Sequence, residues 1–155
     1  MTHLATLLAP EFVDGDATAT VGANEILELE ARDGRIDPGT AVLVHTGWEA
    51  YWQDAGLYLG DHILAFPGLA VDAAELLVER DVAGLGIDIL GVDPGHSTDF
   101  LVHNTTLPAG MWHLEGLVEL ERVPARGAWL VAAPLRLVDG SGTPARVFAI
   151  LPPDA

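Results

Sequence analysis

The run Ala83-Gly84-Leu85-Gly86-Ile87-Asp88-Ile89-Leu90 decides the fold. It is short and almost continuously apolar, which is the character of a strand covered on both faces, as strands of parallel sheets are. Just upstream, Val71 to Arg80 has helical spacing. Leu69, Ala73, Leu76 and Leu77 share one face, Asp72 sits near the positive N-terminal end, and Asp81 closes the segment. Further upstream, Ala41-Val42-Leu43-Val44-His45 is a second apolar run, entered through the turn Arg35-Ile36-Asp37-Pro38-Gly39 and left through Thr46-Gly47-Trp48. Strand, helix and strand in that order predict a βαβ unit with parallel pairing, and so an α/β class.

Working outward, Glu25 to Arg32 carries Ile26, Leu27 and Leu29 at helical spacing and stops at Asp33-Gly34, which predicts a short amphipathic helix. Glu49 to Pro67 is aromatic and irregular, the composition of a long ordered loop, and such loops often border sites. Beyond the decisive strand, Trp112 to Leu114, Ala128 to Ala133 and Ala145 to Leu151 predict short strands between Pro and Gly turns. The second half is therefore β-rich and the sheet mixed. With no internal repeat or linker, residues 1–155 are expected to form one domain.

The bulk numbers agree. Half of the 155 residues are apolar, enough for one core. Twenty-three acidic residues against seven Lys and Arg give a net charge of −16, which repels phosphate backbones and anionic lipid alike. Neither nucleic acid nor a membrane is an expected partner. The absence of cysteine excludes disulfides, thiolate ligands and thiol nucleophiles. The apolar run Leu4 to Ala9 is too short for a membrane span and lacks a cationic flank, so a soluble, cytoplasmic protein is expected.

Asp99-Phe-Leu-Val-His103 and Met111-Trp-His-Leu-Glu115 present an imidazole and a carboxylate on neighbouring elements. That pair suits Zn²⁺ or Mn²⁺, although a hydrolytic centre needs about three protein ligands and an open position. Glu115 stands in an apolar stretch, so a metal, an arginine such as Arg136 or Arg146, or a hydrogen-bond network must compensate its burial. His103 and His113 each have the alternative of a satisfied core histidine; His45 is open between core and site, and His62 is expected to face solvent. Asp88 and Asp93 lie where open α/β sheets place ligands, yet both also suit turn capping. Trp48, Tyr51 and Trp52 suit equally a pocket for an aromatic substrate and the packing of a loop onto the sheet. Trp48, Tyr51 and Asp93 are the candidate substrate-pocket residues, His103 and Glu115 the candidate metal ligands, and no residue is assigned as catalytic. His96, Ser97 and Asp99 do not make a triad, because no nucleophile elbow accompanies them.

Thr46-Gly47-Trp48, Gly86-Ile87-Asp88, Asp93-Pro94-Gly95, the interval from His103 to Glu115, and Gly142-Thr143-Pro144-Ala145-Arg146 occur in this order. As an ordered set they resemble the cyclase family of metal-dependent hydrolases, whose characterised members include bacterial kynurenine formamidases and isatin hydrolases. The likeness runs from Glu25 to Leu151. It implies a swivelling β/β/α-type domain with a mixed sheet, usually oligomeric, that hydrolyses an amide or lactam bond in a small aromatic substrate with a divalent metal, Zn²⁺ or Mn²⁺.

The resemblance also implies that His103 and Glu115 are two of the metal ligands. The family draws its others from a His-x-Gly-Thr-His-x-Asp-x-Pro-x-His motif ahead of the first helix. This sequence lacks that motif, and Thr2-His3-Leu4 is a partial echo only. The N-terminal portion of the family fold is thus expected to be missing and the metal site incomplete. Two roles follow as expectations: an arylformamidase-like hydrolase, working as a homo-oligomer or with a partner chain that supplies ligands, or a catalytically inactive binding or assembly subunit.

Overall fold

The computed structural model describes residues 1–9 and 15–153. In chain order it places β1 (Thr2–Leu8), β2 (Thr20–Val21), α1 (Ala23–Asp33), β3 (Ala41–Val44), α2 (Ala55–Leu59), β4 (Gly68–Leu69), α3 (Val71–Glu79), β5 (Gly84–Ile87), α4 (Leu101–Thr106), β6 (Trp112–Leu114), β7 (Arg126–Pro134) and β8 (Ala145–Ile150). Two 3-10 turns, Trp48–Tyr51 and Leu120–Arg122, complete it. β2 and β4 pair separately as a small parallel ladder.

The six-stranded sheet runs β6-β5-β3-β1-β7-β8. β3, α3 and β5 form the expected βαβ unit, with Ala41 opposite Gly84 and Val44 opposite Ile87 in parallel register. β1 is parallel to β3 but antiparallel to β7, so it divides a parallel half from an antiparallel half. The sequence reading treated the Leu4 to Ala9 run only as a membrane signal too short to count. Its alternation is blurred because this strand is covered differently along its length, with Leu4 exposed and Ala5 and Leu8 buried.

The two faces of the sheet bury different clusters. Val42, Val44, Leu85 and Ile87 pack with Ile26 and Leu29 of α1, Ala73, Ala74 and Leu77 of α3, and Val102 of α4. Ala41 and Leu43 pack on the other face with Leu114, Leu120, Val123 and Leu130. α1 and α3 are also tied by a nearly buried ion pair, in which Arg80 Nε and Nη2 donate to Glu30 Oε1 and Oε2, each at 2.9 Å. Gly84 is required by close approach: a Cβ there would lie inside the Trp112 ring.

The decisive strand is shorter than its apolar run. It ends at Ile87 because Leu117 N then donates to Ile87 O at 2.9 Å and Gly116 N to Ile89 O at 2.8 Å, drawing the chain away from β3. The aromatic segment 49–67 holds a turn of helix, α2, whose N-cap Asp54 accepts from Gly56 N and Leu57 N. α4 was not evident from the sequence either, since Leu101–Thr106 is too short for periodicity to show.

Candidate functional site

β3, β5 and β6 are parallel, so their C-terminal ends open on one edge of the sheet. Open α/β sheets collect ligands there. His45 and Thr46 follow β3, Asp88 follows β5, and Glu115 follows β6.

Asp93 anchors the arrangement from below. It is 5% exposed. Its Oδ1 accepts from Val102 N at 2.8 Å, and its Oδ2 accepts from His103 N at 3.1 Å, so the carboxylate serves the free N–H groups at the start of α4. A carboxylate is favoured there by both the unsatisfied donors and the helix dipole. The same Oδ2 lies 2.5 Å from His103 Nδ1. Held at that nitrogen, the imidazole turns Nε2 toward Glu115, and Nε2 to Oε1 is 3.4 Å.

Glu115 departs from the expectation of burial. It sits at the rim with its side chain 34% exposed, and no arginine pairs with it among the described residues. Arg146 does line the same broad cleft, a cavity of about 860 Å³ that also includes Leu43, His113 and Val147. Arg136 does not. The part of Glu115 that is covered pushes its pKa up, and the neighbouring His103 draws it back.

His113, on β6, joins the pair. A ring nitrogen of His103, a ring nitrogen of His113 and a Glu115 carboxylate oxygen lie within 4.8 Å of one another. The two imidazoles meet edge to face, with centroids 4.7 Å apart. Thr106 Oγ1 is 2.8 Å from His113 Nε2. Burial first, and then the neighbouring His103, push the His113 pKa down to about 4, so this ring is neutral at pH 7.

The candidate pocket residues are held in different ways. Asp93 lies beneath His103 and is committed to it. Trp48 is buried, donates Nε1–H to Tyr58 O at 3.0 Å and meets the half-buried Tyr51 edge-on at 5.0 Å. Tyr58 in turn donates to Asp88 O at 3.1 Å. Asp88 is fully buried and caps the turn after β3, its Oδ1 accepting from Thr46 N at 2.9 Å and Thr46 Oγ1 at 2.8 Å. His62 is exposed, as expected.

Sequence reasoning missed Thr106 and left His113 undecided. The available signal was spacing: His103 and Thr106 are neighbours on one helical face. A second cluster also went unread. His45, Glu49 and Glu121 bring one ligand atom each within 4.8 Å of the others. Glu49 is pushed up to about 7, first by burial and then by the adjacent Glu121. This cluster depends on the Leu120–Arg122 turn, which no local pattern announces.

The comparisons with known proteins follow the same outline. A family model described as "Putative cyclase" matches residues 5–94. An isatin hydrolase of Roseibium aggregatum is 33% identical over 84% of the chain, and a kynurenine formamidase of Salinibacter ruber is 39% identical over 54% of it. The chain spans 52% of the first relative's length and 39% of the second's. Among solved structures, an isatin hydrolase bound to the product analogue thioisatinate superposes with a TM-score of 0.92 at 29% identity, covering 97% of this chain and 60% of that one. A structure described as a potential metal-dependent hydrolase with cyclase activity gives 0.73 at 31% identity, covering 95% of this chain and 64% of that one. The mixed sheet, the order of its strands and the match across most of its length place this chain in the cyclase family.

Proposed function

We propose that this chain carries the metal-binding side of a hydrolase that opens an amide or lactam bond in a small aromatic substrate, with His103 and Glu115 holding a divalent cation. The observation that carries the reading is the pairing of His103 Nε2 with Glu115 Oε1 at 3.4 Å, on an imidazole whose other nitrogen is held by Asp93. Two ligands at about 2.0–2.1 Å from a tetrahedral Zn²⁺ stand roughly 3.3–3.4 Å apart, so the donors fit that cation without rearrangement. One imidazole and one carboxylate also suit Mn²⁺.

When bound, the cation supplies Lewis-acid polarisation of a carbonyl and lowers the pKa of water. The chain's own residues do the rest. Asp93 accepts a hydrogen bond from His103 Nδ1–H and so keeps Nε2 directed at the site, the role that carboxylates take behind metal-binding histidines. Glu115, at the rim, offers a carboxylate open to the cleft. Trp48, with Tyr51 packed against it, shapes the pocket from behind: Trp48 bonds Tyr58, and Tyr58 and Asp88 fix the turn after β3 that borders it. The relatives named isatin hydrolase and kynurenine formamidase support a cyclic or linear aryl amide as substrate class.

The test is hydrolysis of isatin and of N-formylkynurenine with added Zn²⁺ or Mn²⁺, alongside elemental analysis. Metal-dependent turnover of either substrate is expected. A protein that holds no metal and turns over neither one contradicts the reading.

A further inference from the structure

We propose that His113 is a third protein ligand to the cation at His103 and Glu115, through its Nδ1, and that Thr106 fixes the tautomer that makes it one. The inference rests on the metal reading above and deepens it, because it completes a three-ligand set from this chain alone.

The argument is a count of protons. Thr106 Oγ1 has one hydrogen and lies 2.8 Å from Val102 O, which can only accept. The hydrogen therefore goes to that carbonyl, the back-bond that Thr commonly makes within a helix. The same oxygen is 2.8 Å from His113 Nε2. With its hydrogen spent it can only accept, so His113 carries its proton on Nε2. In a neutral imidazole the lone pair is then on Nδ1, which has no hydrogen-bond partner among the described residues.

The same count fixes the opposite nitrogen of His103. Asp93 accepts two backbone N–H groups and cannot donate, so His103 carries a proton on Nδ1, and its Nε2, 3.4 Å from Glu115 Oε1, is the nitrogen a cation would take in place of a proton. Two touching rings thus have different nitrogens held by partners on or beneath α4, which leaves His103 Nε2 and His113 Nδ1 for the cation. Beside them stands a carboxylate within 4.8 Å. A histidine serving only to fill the core has no need of a set tautomer with its other nitrogen unpaired, or of a second imidazole packed against its ring. Two imidazoles and one carboxylate with an open side toward the cleft match the ligand set of catalytic zinc centres.

The experiment uses Co²⁺ as a spectroscopic probe on the whole chain, with ligand-field absorption read during titration. The wild type is expected to give a four-coordinate spectrum. His113→Phe keeps an aromatic ring of similar size and is expected to weaken Co²⁺ binding at least 100-fold and shift the spectrum, whereas Thr106→Val is expected to weaken it about 10- to 100-fold. Long-range ¹⁵N correlation spectra of the metal-free wild type, which need no variant, are expected to show the Nδ1–H form of His103 and the Nε2–H form of His113. Wild-type affinity and spectrum in His113→Phe, or an Nδ1–H form of His113, overturns this inference while leaving the His103 and Glu115 reading standing. A wild type that binds no Co²⁺ overturns both.

Discussion

Asp93 Oδ2 lies 2.5 Å from His103 Nδ1 while the same carboxylate receives the first N–H groups of α4, so one side chain both starts the helix and orients the imidazole it carries. This double duty makes Asp93→Asn informative. An amide has one acceptor oxygen, and it cannot serve the α4 N–H groups and His103 Nδ1–H together. We expect metal affinity to fall about 10- to 100-fold, with a stability loss of about 1 kcal/mol from the weakened cap. Metal titration and thermal unfolding of the metal-free variant separate the two effects; unchanged affinity would show that Asp93 only caps.

Glu30 and Arg80 give a pH prediction whose sign is set by the pair. The Arg80 guanidinium holds the Glu30 carboxyl below its ordinary value. The stabilisation is thus fully present above the ordinary glutamate range and is lost as pH falls through the lowered folded value. Glu30→Gln should cost about 1–3 kcal/mol at pH 7 and progressively less on acidification. Denaturant unfolding from pH 7 to 3 checks it, and a penalty constant across that range would contradict the ion pair's role.

Glu49 works in the opposite direction. Its value is pushed up to about 7, so the folded chain prefers the protonated form and loses stability as pH rises from the ordinary glutamate range through about 7. Replacing it by Gln removes that loss. Relative to the wild type, Glu49→Gln should gain stability as pH rises between 5 and 8. Parallel unfolding curves for the two proteins over that range would show that Glu49 and Glu121 do not share a proton.

Gly84→Ala tests the packing that sets β6 beside β5. The added methyl would enter the space of the Trp112 ring, and either the ring or the strand must move. Overpacking of this kind costs about 1–3 kcal/mol. Because Glu115 follows β6 directly, metal affinity should fall as well. A variant with unchanged melting temperature and affinity would show that the ring moves freely.

The βαβ unit was legible because both strands are buried on both faces, which leaves unbroken apolar runs around a periodic helix. β1 was not, because its pattern mixes exposed Leu4 with buried Ala5 and Leu8. The pairing of His103 with Glu115 was legible as two residue types at a family-like interval. What supports it was only partly so: Asp93 was read as a pocket residue, and its reach to α4 depends on the loop between them rather than on any local period. Thr106 acts through a backbone carbonyl, and that leaves no trace in composition. Trp48 was balanced between pocket and packing because an indole serves both, and its ring is buried with its N–H on Tyr58 O.

The central claim is that His103 and Glu115 grip a cation, and metal content settles it most directly. Elemental analysis after dialysis against Zn²⁺ or Mn²⁺ should find metal retained by the wild type and lost from His103→Ala and Glu115→Ala. Equal metal in all three proteins, or none in the wild type, would contradict the account.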